Sequence, residues 1–191
     1  KEIPLGSPDR LEGYLFPDTY EFYLGEDPKT AINKMLVNFD RRFDDEMRAA
    51  AQEKGYSVRD IVIIASMIEK ETDGTDLAHI ASVIYNRLTN TSAETVGLLG
   101  IDATLVYALG RPITQDDYQT ADTPYNTYKY QGLPPGPISN PGMVAIRAAM
   151  NPDSTSDYYY VLGNDGKHHF FKTLKGQQDF IAQQQVEKRS G

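Results

Sequence analysis

An apolar run at residues 61–68, with the sequence IVIIASMI, leads directly into Glu69-Lys70-Glu71-Thr72. Ser57, followed by Asp60 three positions later, predicts a capping box at the start of a helix. Gly74 suits the left-handed position that ends a helix, so the end is expected at Asp73-Gly74. The pattern predicts a buried helix that carries carboxylates in its last turn.

Apolar positions recur with helical spacing in several other parts of the chain. Residues 30–54 show this spacing throughout, and Gly55 follows as a stop, which predicts one long helix. Residues 76–88 predict a further helix, with Thr75 as a possible cap. Additional helices are predicted at residues 102–109, 114–119, 143–150 and 174–187.

Two parts of the chain have patterns typical of β structure. Residues 11–22 mix aromatic and polar residues around Pro17-Asp18, which predicts short strand segments. Residues 158–162 and 168–172 flank Asn164-Asp165-Gly166, a strong hairpin signal. We therefore predict an α+β fold, in which a helical core surrounds the Glu69 helix and the N-terminal segment and C-terminal hairpin form a small antiparallel sheet. No internal repeat or linker divides the chain, so we predict one domain over residues 1–191.

Composition narrows the classes of function. Acidic residues exceed basic ones by 27 − 19 = 8, and no run of Lys or Arg is longer than a pair, which argues against nucleic acid or anionic lipid as partner. Cysteine is absent, so disulfides and thiolate metal sites are excluded. His79, His168 and His169 lack the spacing of a helical zinc site. We predict no metal and no cofactor.

The ends of the sequence bear on its context. Residues 1–6 include no initiator methionine and read like mid-chain sequence, and no stretch approaches the roughly 20 apolar residues that span a bilayer. We therefore interpret the chain as a fragment whose N-terminal context is missing.

Glu69 and Glu71 are the candidate catalytic acids. A carboxyl group held against apolar walls loses hydration, which raises its pKa into the range useful for a general acid. Residues two apart on a helix point in widely different directions, so at most one of the two can serve one pocket. Glu69 continues the stripe of Val62, Ala65 and Ser66, whose small side chains leave room for a ligand, and is favoured on that ground. The alternative is that both are solvated acids at a helix end.

Residues 122–141 form a long irregular segment with five prolines, and such segments inside a compact domain are usually functional. Tyrosine rings can stack on sugars, and amide side chains can pair with hydroxyls. The candidate substrate-binding residues are Glu71, Asn86, Asp102, Tyr125, Asn126, Tyr128 and Gln131. A rigid structural loop with buried tyrosines is the alternative for this segment. Asn86 could equally bond a loop backbone, and Asp102 could equally be a helix N-cap.

Several segments together resemble the endolytic murein transglycosylases, or YceG-like proteins. They are LEGYLFPDTY at 11–20, IASMIEKET at 64–72, ASVIYNRL at 81–88, DAT at 102–104, YNTY at 125–128 and GLPPGPI at 132–138. The resemblance implies cleavage within peptidoglycan glycan strands, with Glu69 as the catalytic residue. It also implies a single N-terminal helix in the bacterial plasma membrane, a LysM-like region before an extracytoplasmic catalytic part, and possible peptidoglycan synthase partners. Both N-terminal parts would be absent from this fragment.

The resemblance further implies a lytic reaction, in which a hydroxyl of the muramic acid residue is the nucleophile and leaves a 1,6-anhydro end. Such a reaction needs no second carboxylate, unlike most glycoside hydrolases. The chain departs from the family at Leu99-Gly100-Ile101-Asp102, where members often have Gln after Leu, and in the preceding loop at 89–97. A non-catalytic peptidoglycan-binding module and a water-using muramidase are the alternatives.

Overall fold

The computed structural model describes residues 8–72 and 74–190. After a short 3-10 helix at Pro8–Leu11, the helices and strands follow in this order: α1 Pro28–Arg42, α2 Asp45–Glu53, α3 Val58–Glu71, α4 Leu77–Thr89, α5 Asp102–Leu109, α6 Asp117–Thr120, α7 Met143–Met150, β1 Tyr159–Leu162, β2 His168–Phe171 and α8 Leu174–Ser190.

Helix α3 lies at the centre of the core. The predicted capping box is confirmed: the backbone N–H of Asp60 donates to Ser57 Oγ at 3.1 Å and the N–H of Ser57 donates to Asp60 Oδ2 at 2.9 Å. All eight residues of the run 61–68 are buried. Helices α2, α4, α5 and α7 pack around α3. Because neighbours cover α3 on several sides, its sequence is apolar all round rather than along one stripe.

The predicted single helix at residues 30–54 is wrong, since α1 and α2 are separate helices. Phe43 leaves helical geometry between them and is fully buried, with its ring stacked on Phe39 at 5.8 Å. Asp44 then caps α2, since its carboxylate accepts the Met47 N–H at 2.9 Å. The N-cap hydrogen bond and the burial of Phe43 favour the break over a continuous helix.

The strands predicted at residues 11–22 are also wrong, because this part of the chain forms turns. The backbone N–H groups of Gly13 and Leu15 donate to Asn140 Oδ1 at 2.8 and 3.1 Å, so a side chain takes the place of a neighbouring strand. The segment packs on the loop at 122–141 through these bonds.

The C-terminal hairpin is confirmed. Strands β1 and β2 pair antiparallel, with Tyr159 opposite Phe171 and Leu162 opposite His168, and helix α8 packs on them. Within the described residues the sheet consists of these two strands alone, so the α+β class is confirmed but the N-terminal segment does not contribute to the sheet.

The start of helix α6 differs from the predicted one, and some predictions concern residues outside the described part of the chain. The helix expected at 114–119 begins later, at Asp117, because the Asp117 carboxylate accepts the Thr114 N–H at 2.7 Å and two bonds from Arg111. Residues 1–6 and Asp73 lie outside the described residues. Over the described part, no helix has the length and apolar character needed to cross a bilayer.

Candidate active site

Glu69 and Glu71 leave the end of α3 in different directions, as their spacing requires. The Glu69 side chain is exposed, and its Oε2 accepts the backbone N–H of Gly142 at 3.4 Å, at the start of α7. The expectation that apolar walls enclose Glu69 is therefore wrong. On the face that Glu69 shares with Val62 and Ser66, the Ile138 N–H donates to Ser66 Oγ at 3.0 Å and Gly13 lies against Val62.

Glu71 is partly buried and hydrogen bonded. The phenol of Tyr160 donates to Glu71 Oε2 at 2.7 Å, and the backbone N–H of Ala103 also donates to this carboxyl group. Burial raises the pKa of Glu71 above its ordinary value, and the negative charge of Asp102 acts in the same direction, while the Tyr160 hydrogen bond opposes them. Glu71 therefore has the surroundings that the sequence predicted for Glu69.

Two cavities meet at Glu71. One, called the polar cavity, has a volume of about 430 Å³ and is lined by the polar side chains of Glu71, Arg87, Asp102 and Tyr128 together with apolar ones. The other has a volume of about 470 Å³ and is lined by Lys70, Glu71, Asp102, Ala103, Val106, Tyr107 and Ile138. Glu71 and Asp102 line both, and Glu69 lines neither. The two cavities therefore share these two carboxylates in their walls, and together they are called the groove.

Asp102 begins α5, and two tyrosines hold its carboxylate. Tyr128 donates to Oδ1, and Tyr118 donates to Oδ2 at 3.2 Å. The tyrosine rings meet edge to face, with centroids 4.6 Å apart. Burial raises the pKa of Tyr128, and its hydrogen bond to Asp102 raises it further, so the phenol keeps its proton and donates. Ile101 is the N-cap of α5, so Asp102 lies in the groove rather than at the cap position.

Arg87 lines the polar cavity and is only 8% exposed. Its Nε donates to the carbonyl of Tyr158 at 2.6 Å, and a terminal nitrogen donates to the carbonyl of Leu99. These bonds join α4 to the loop before α5 and to the residue that precedes β1. Arg87 thus fixes the relative positions of two walls of the groove.

The loop at 122–141 is mostly structural. Asn126 is fully buried, and its amide donates to the carbonyls of Tyr118 and Ala121 at 3.2 and 2.9 Å while its Oδ1 accepts the Tyr128 N–H at 3.1 Å. The ring of Tyr125 lies 5.1 Å from that of Tyr107 at the edge of the core. Of the loop residues singled out in the sequence, Tyr128 alone lines either cavity.

We expect Asn126→Ala to lower the free energy of unfolding by about 2 kcal/mol, because it leaves buried backbone groups without partners. The loss should appear in urea unfolding. Asn151→Ala, at an exposed asparagine, is the matched control and should change stability by less than about 0.5 kcal/mol. Equal effects for the two variants would contradict a structural role for Asn126.

The side-chain amides of Asn86 and Gln131 also donate to backbone carbonyls, and neither residue lines the groove. The Asn86 amide donates to the carbonyls of Thr155 and Asp157 at 3.1 and 3.0 Å, which is the structural alternative given for this residue. Gln131 Nε2 donates to the carbonyl of Val96 at 2.5 Å and so ties the loop to the segment before α5.

Arg87 and Tyr160 are among the groove residues that sequence reasoning missed. The position of Tyr160 in β1 gave a signal, since alternate residues of a strand face opposite sides, but nothing linked the hairpin to α3. Over residues 8–72 and 74–190, no three His, Asp or Glu side chains converge as metal ligands would.

The sequence matches the YceG-like family over residues 2–183. It is 39% identical over 171 residues to a Bacillus subtilis (strain 168) protein named endolytic murein transglycosylase, covering 86% of this chain and 45% of that protein. A Streptococcus pneumoniae serotype 2 protein of the same name is 33% identical over 174 residues, covering 86% of this chain and 30% of that protein. The crystal structure of a yceG-like protein from Listeria monocytogenes has a TM-score of 0.79 at 38% identity, covering 89% of this chain and 55% of that chain. The chain thus spans less than half the length of these curated relatives.

Proposed function

Since this chain belongs to the YceG-like family, we propose that it cleaves peptidoglycan glycan strands as a lytic transglycosylase. The observation that carries the proposal is the partly buried, hydrogen-bonded carboxyl group of Glu71 at the meeting point of two cavities. The relatives named endolytic murein transglycosylase support the substrate class.

We assign the acid role to Glu71 rather than Glu69. A general acid must hold its proton near neutral pH and reach the leaving oxygen. Burial raises the pKa of Glu71, which favours the protonated form, and Glu71 borders the groove. Glu69 is exposed and lies against the start of α7, so the assignment to Glu69 stays a prediction that geometry does not favour.

The reaction needs one carboxyl group that acts twice. Glu71 gives its proton to the oxygen that bridges N-acetylmuramic acid and N-acetylglucosamine, and the bond from C1 to that oxygen breaks. The carboxylate then takes the proton of the muramyl C6 hydroxyl, whose oxygen attacks C1 and closes a 1,6-anhydro ring. Glu71 ends the cycle protonated, and no water is consumed.

The groove suits cleavage within a strand. A glycan that continues on both sides of the broken bond needs space on both sides of the acid, and the cavities of about 430 and 470 Å³ provide it. Tyr128 and Tyr160 line the polar cavity, where the accessible parts of their rings can pack on sugars.

One observation favours a second candidate, a muramidase that uses water. Asp102 borders both cavities with Glu71, and hydrolytic glycosidases use two carboxyl groups. In that reaction water would supply the nucleophile, and the product would carry a reducing end.

The mass of the products decides between these reactions. We expect the 191-residue chain to convert purified glycan strands into fragments one water molecule lighter than hydrolysis products, with ends that borohydride does not reduce. Reducible ends would support the muramidase, and binding without cleavage would support a non-catalytic module. Either result would contradict the lytic proposal.

The wider setting is part of the same proposal. We propose that peptidoglycan glycan strands are the partner and that peptidoglycan synthases are possible protein partners. We also propose that the protein acts on the extracytoplasmic side of a bacterial plasma membrane, where a single N-terminal helix anchors it. Co-sedimentation of the 191-residue chain with peptidoglycan sacculi would test the first of these.

A further inference from the structure

Hydrogen bonds connect the hairpin of β1 and β2 to the end of α3, directly through Tyr160 and indirectly through Asp76. Tyr160, in β1, donates its phenol proton to Glu71 Oε2 at 2.7 Å. His168 Nδ1, in β2, lies 2.7 Å from Asp76 Oδ2, and Asp76 also accepts the hydroxyl of Thr72, the C-cap of α3. The hairpin therefore contacts the acid directly and reaches the C-cap of α3 through Asp76.

The Tyr160 ring is held from several sides. The ring of His168 meets it edge to face, with centroids 5.7 Å apart at 89°. The guanidinium carbon of Arg87 lies 5.8 Å from its centroid. Gln177 of α8 donates to the Tyr160 carbonyl at 2.6 Å. A phenol fixed in this way can determine the orientation of the carboxyl group that it bonds.

We propose that Tyr160 is a positioning residue for Glu71: its phenol occupies Oε2 and leaves Oε1 to exchange the proton with the sugar. This inference rests on the proposed function of Glu71 and adds that the C-terminal hairpin belongs to the catalytic apparatus. Without this bond the carboxyl group would keep only the backbone N–H of Ala103 as donor, and its terminal torsion, which is broad in glutamate, would be less restricted.

Charged and titratable groups from every neighbouring element act on Glu71. They are Asp102 from α5, Tyr160 from β1, His168 from β2, Arg87 from α4 and Tyr128 from the loop before α7. The Tyr160 hydrogen bond favours the charged form of Glu71 and so lowers its pKa. Loss of that bond raises the pKa, and protonated Glu71 then persists to higher pH.

Tyr160→Phe keeps the ring and removes the donor. We expect kcat to fall about tenfold while KM changes less than about twofold. We also expect the alkaline limb of kcat/KM, which reports the protonated acid, to move up by about half a pH unit. The substrate is purified glycan strands, and the rate is followed by release of anhydro ends.

Tyr158→Phe is the matched control, since its hydroxyl bonds Asn90 and does not reach Glu71. It should leave both kcat and the pH profile unchanged. A Tyr160→Phe profile that keeps the wild-type alkaline limb would overturn the inference, even if activity fell. Inactivity of Glu71→Gln together with that result would leave the proposed function intact and remove only the role of Tyr160.

A second substitution covers the case in which Tyr160→Phe folds poorly. Replacement of Tyr160 by 3-fluorotyrosine keeps the ring and makes the phenol a stronger donor. The alkaline limb should then move to lower pH, opposite to the shift in Tyr160→Phe. No movement of the limb with 3-fluorotyrosine would equally overturn the inference.

Discussion

Glu71→Gln should reduce the rate of glycan cleavage by about 10²- to 10⁴-fold, the usual contribution of a general acid. The amide keeps the size of the side chain and can still accept the Tyr160 hydrogen bond, but it has no acidic proton to transfer to the glycosidic oxygen. Release of anhydro ends from purified glycan strands measures the loss, and binding to the same strands should persist.

Glu69→Gln is the matched control, since it makes the same chemical change two residues away on the same helix. Glu69 accepts one long bond from Gly142 and lies outside both cavities, so at least about half of the activity should remain. An inactive Glu69→Gln beside an active Glu71→Gln would reverse the assignment. Full activity of both variants would show that neither glutamate is the acid.

Gly13→Ala should lower the free energy of unfolding by about 4 kcal/mol. Gly13 has φ of +87°, which an alanine adopts at a cost. A Cβ at this position would also lie 2.6 Å from both Pro137 Cγ and Val62 Cγ1, so the N-terminal turn, the loop at 122–141 and α3 would have to separate. Urea unfolding measures the effect.

Gly55→Ala separates the two causes of that loss. Gly55 has a similar φ of +80°, but a Cβ there would meet nothing within 4 Å. Its cost should be about 1 kcal/mol, from the backbone alone. Equal losses in the two variants would show that contact with Val62 and Pro137 contributes nothing.

Local sequence patterns correctly predicted the elements whose hydrogen bonds join residues that are close in the sequence. The cap at Ser57 and the Asn164-Asp165-Gly166 hairpin are of this kind, and both are confirmed. The prediction of strands at residues 11–22 was wrong because the backbone N–H groups of Gly13 and Leu15 donate to Asn140, more than a hundred residues away. The break between α1 and α2 was missed because burial of Phe43 depends on tertiary packing.

The sequence predicted a candidate site at the end of α3, with Glu69 as the acid. The stripe of Val62 and Ser66 does leave room beside α3, as expected from its small side chains. The protein itself fills that room, since the Ile138 N–H donates to Ser66 Oγ at 3.0 Å and Gly13 lies against Val62. The two cavities that border Glu71 lie on the other side of α3, and sequence spacing alone cannot tell which side a distant segment covers.

One wall of the polar cavity is a loop. Glu94, Thr95, Val96 and Leu98 line it, and Glu94 holds the loop to α8 by accepting the Leu174 N–H at 3.1 Å. Loops accept insertions and deletions more readily than helices do. Under the proposed function, insertions or deletions in this loop would change the length of the wall, and with it the stretch of glycan that it contacts, without changing Glu71.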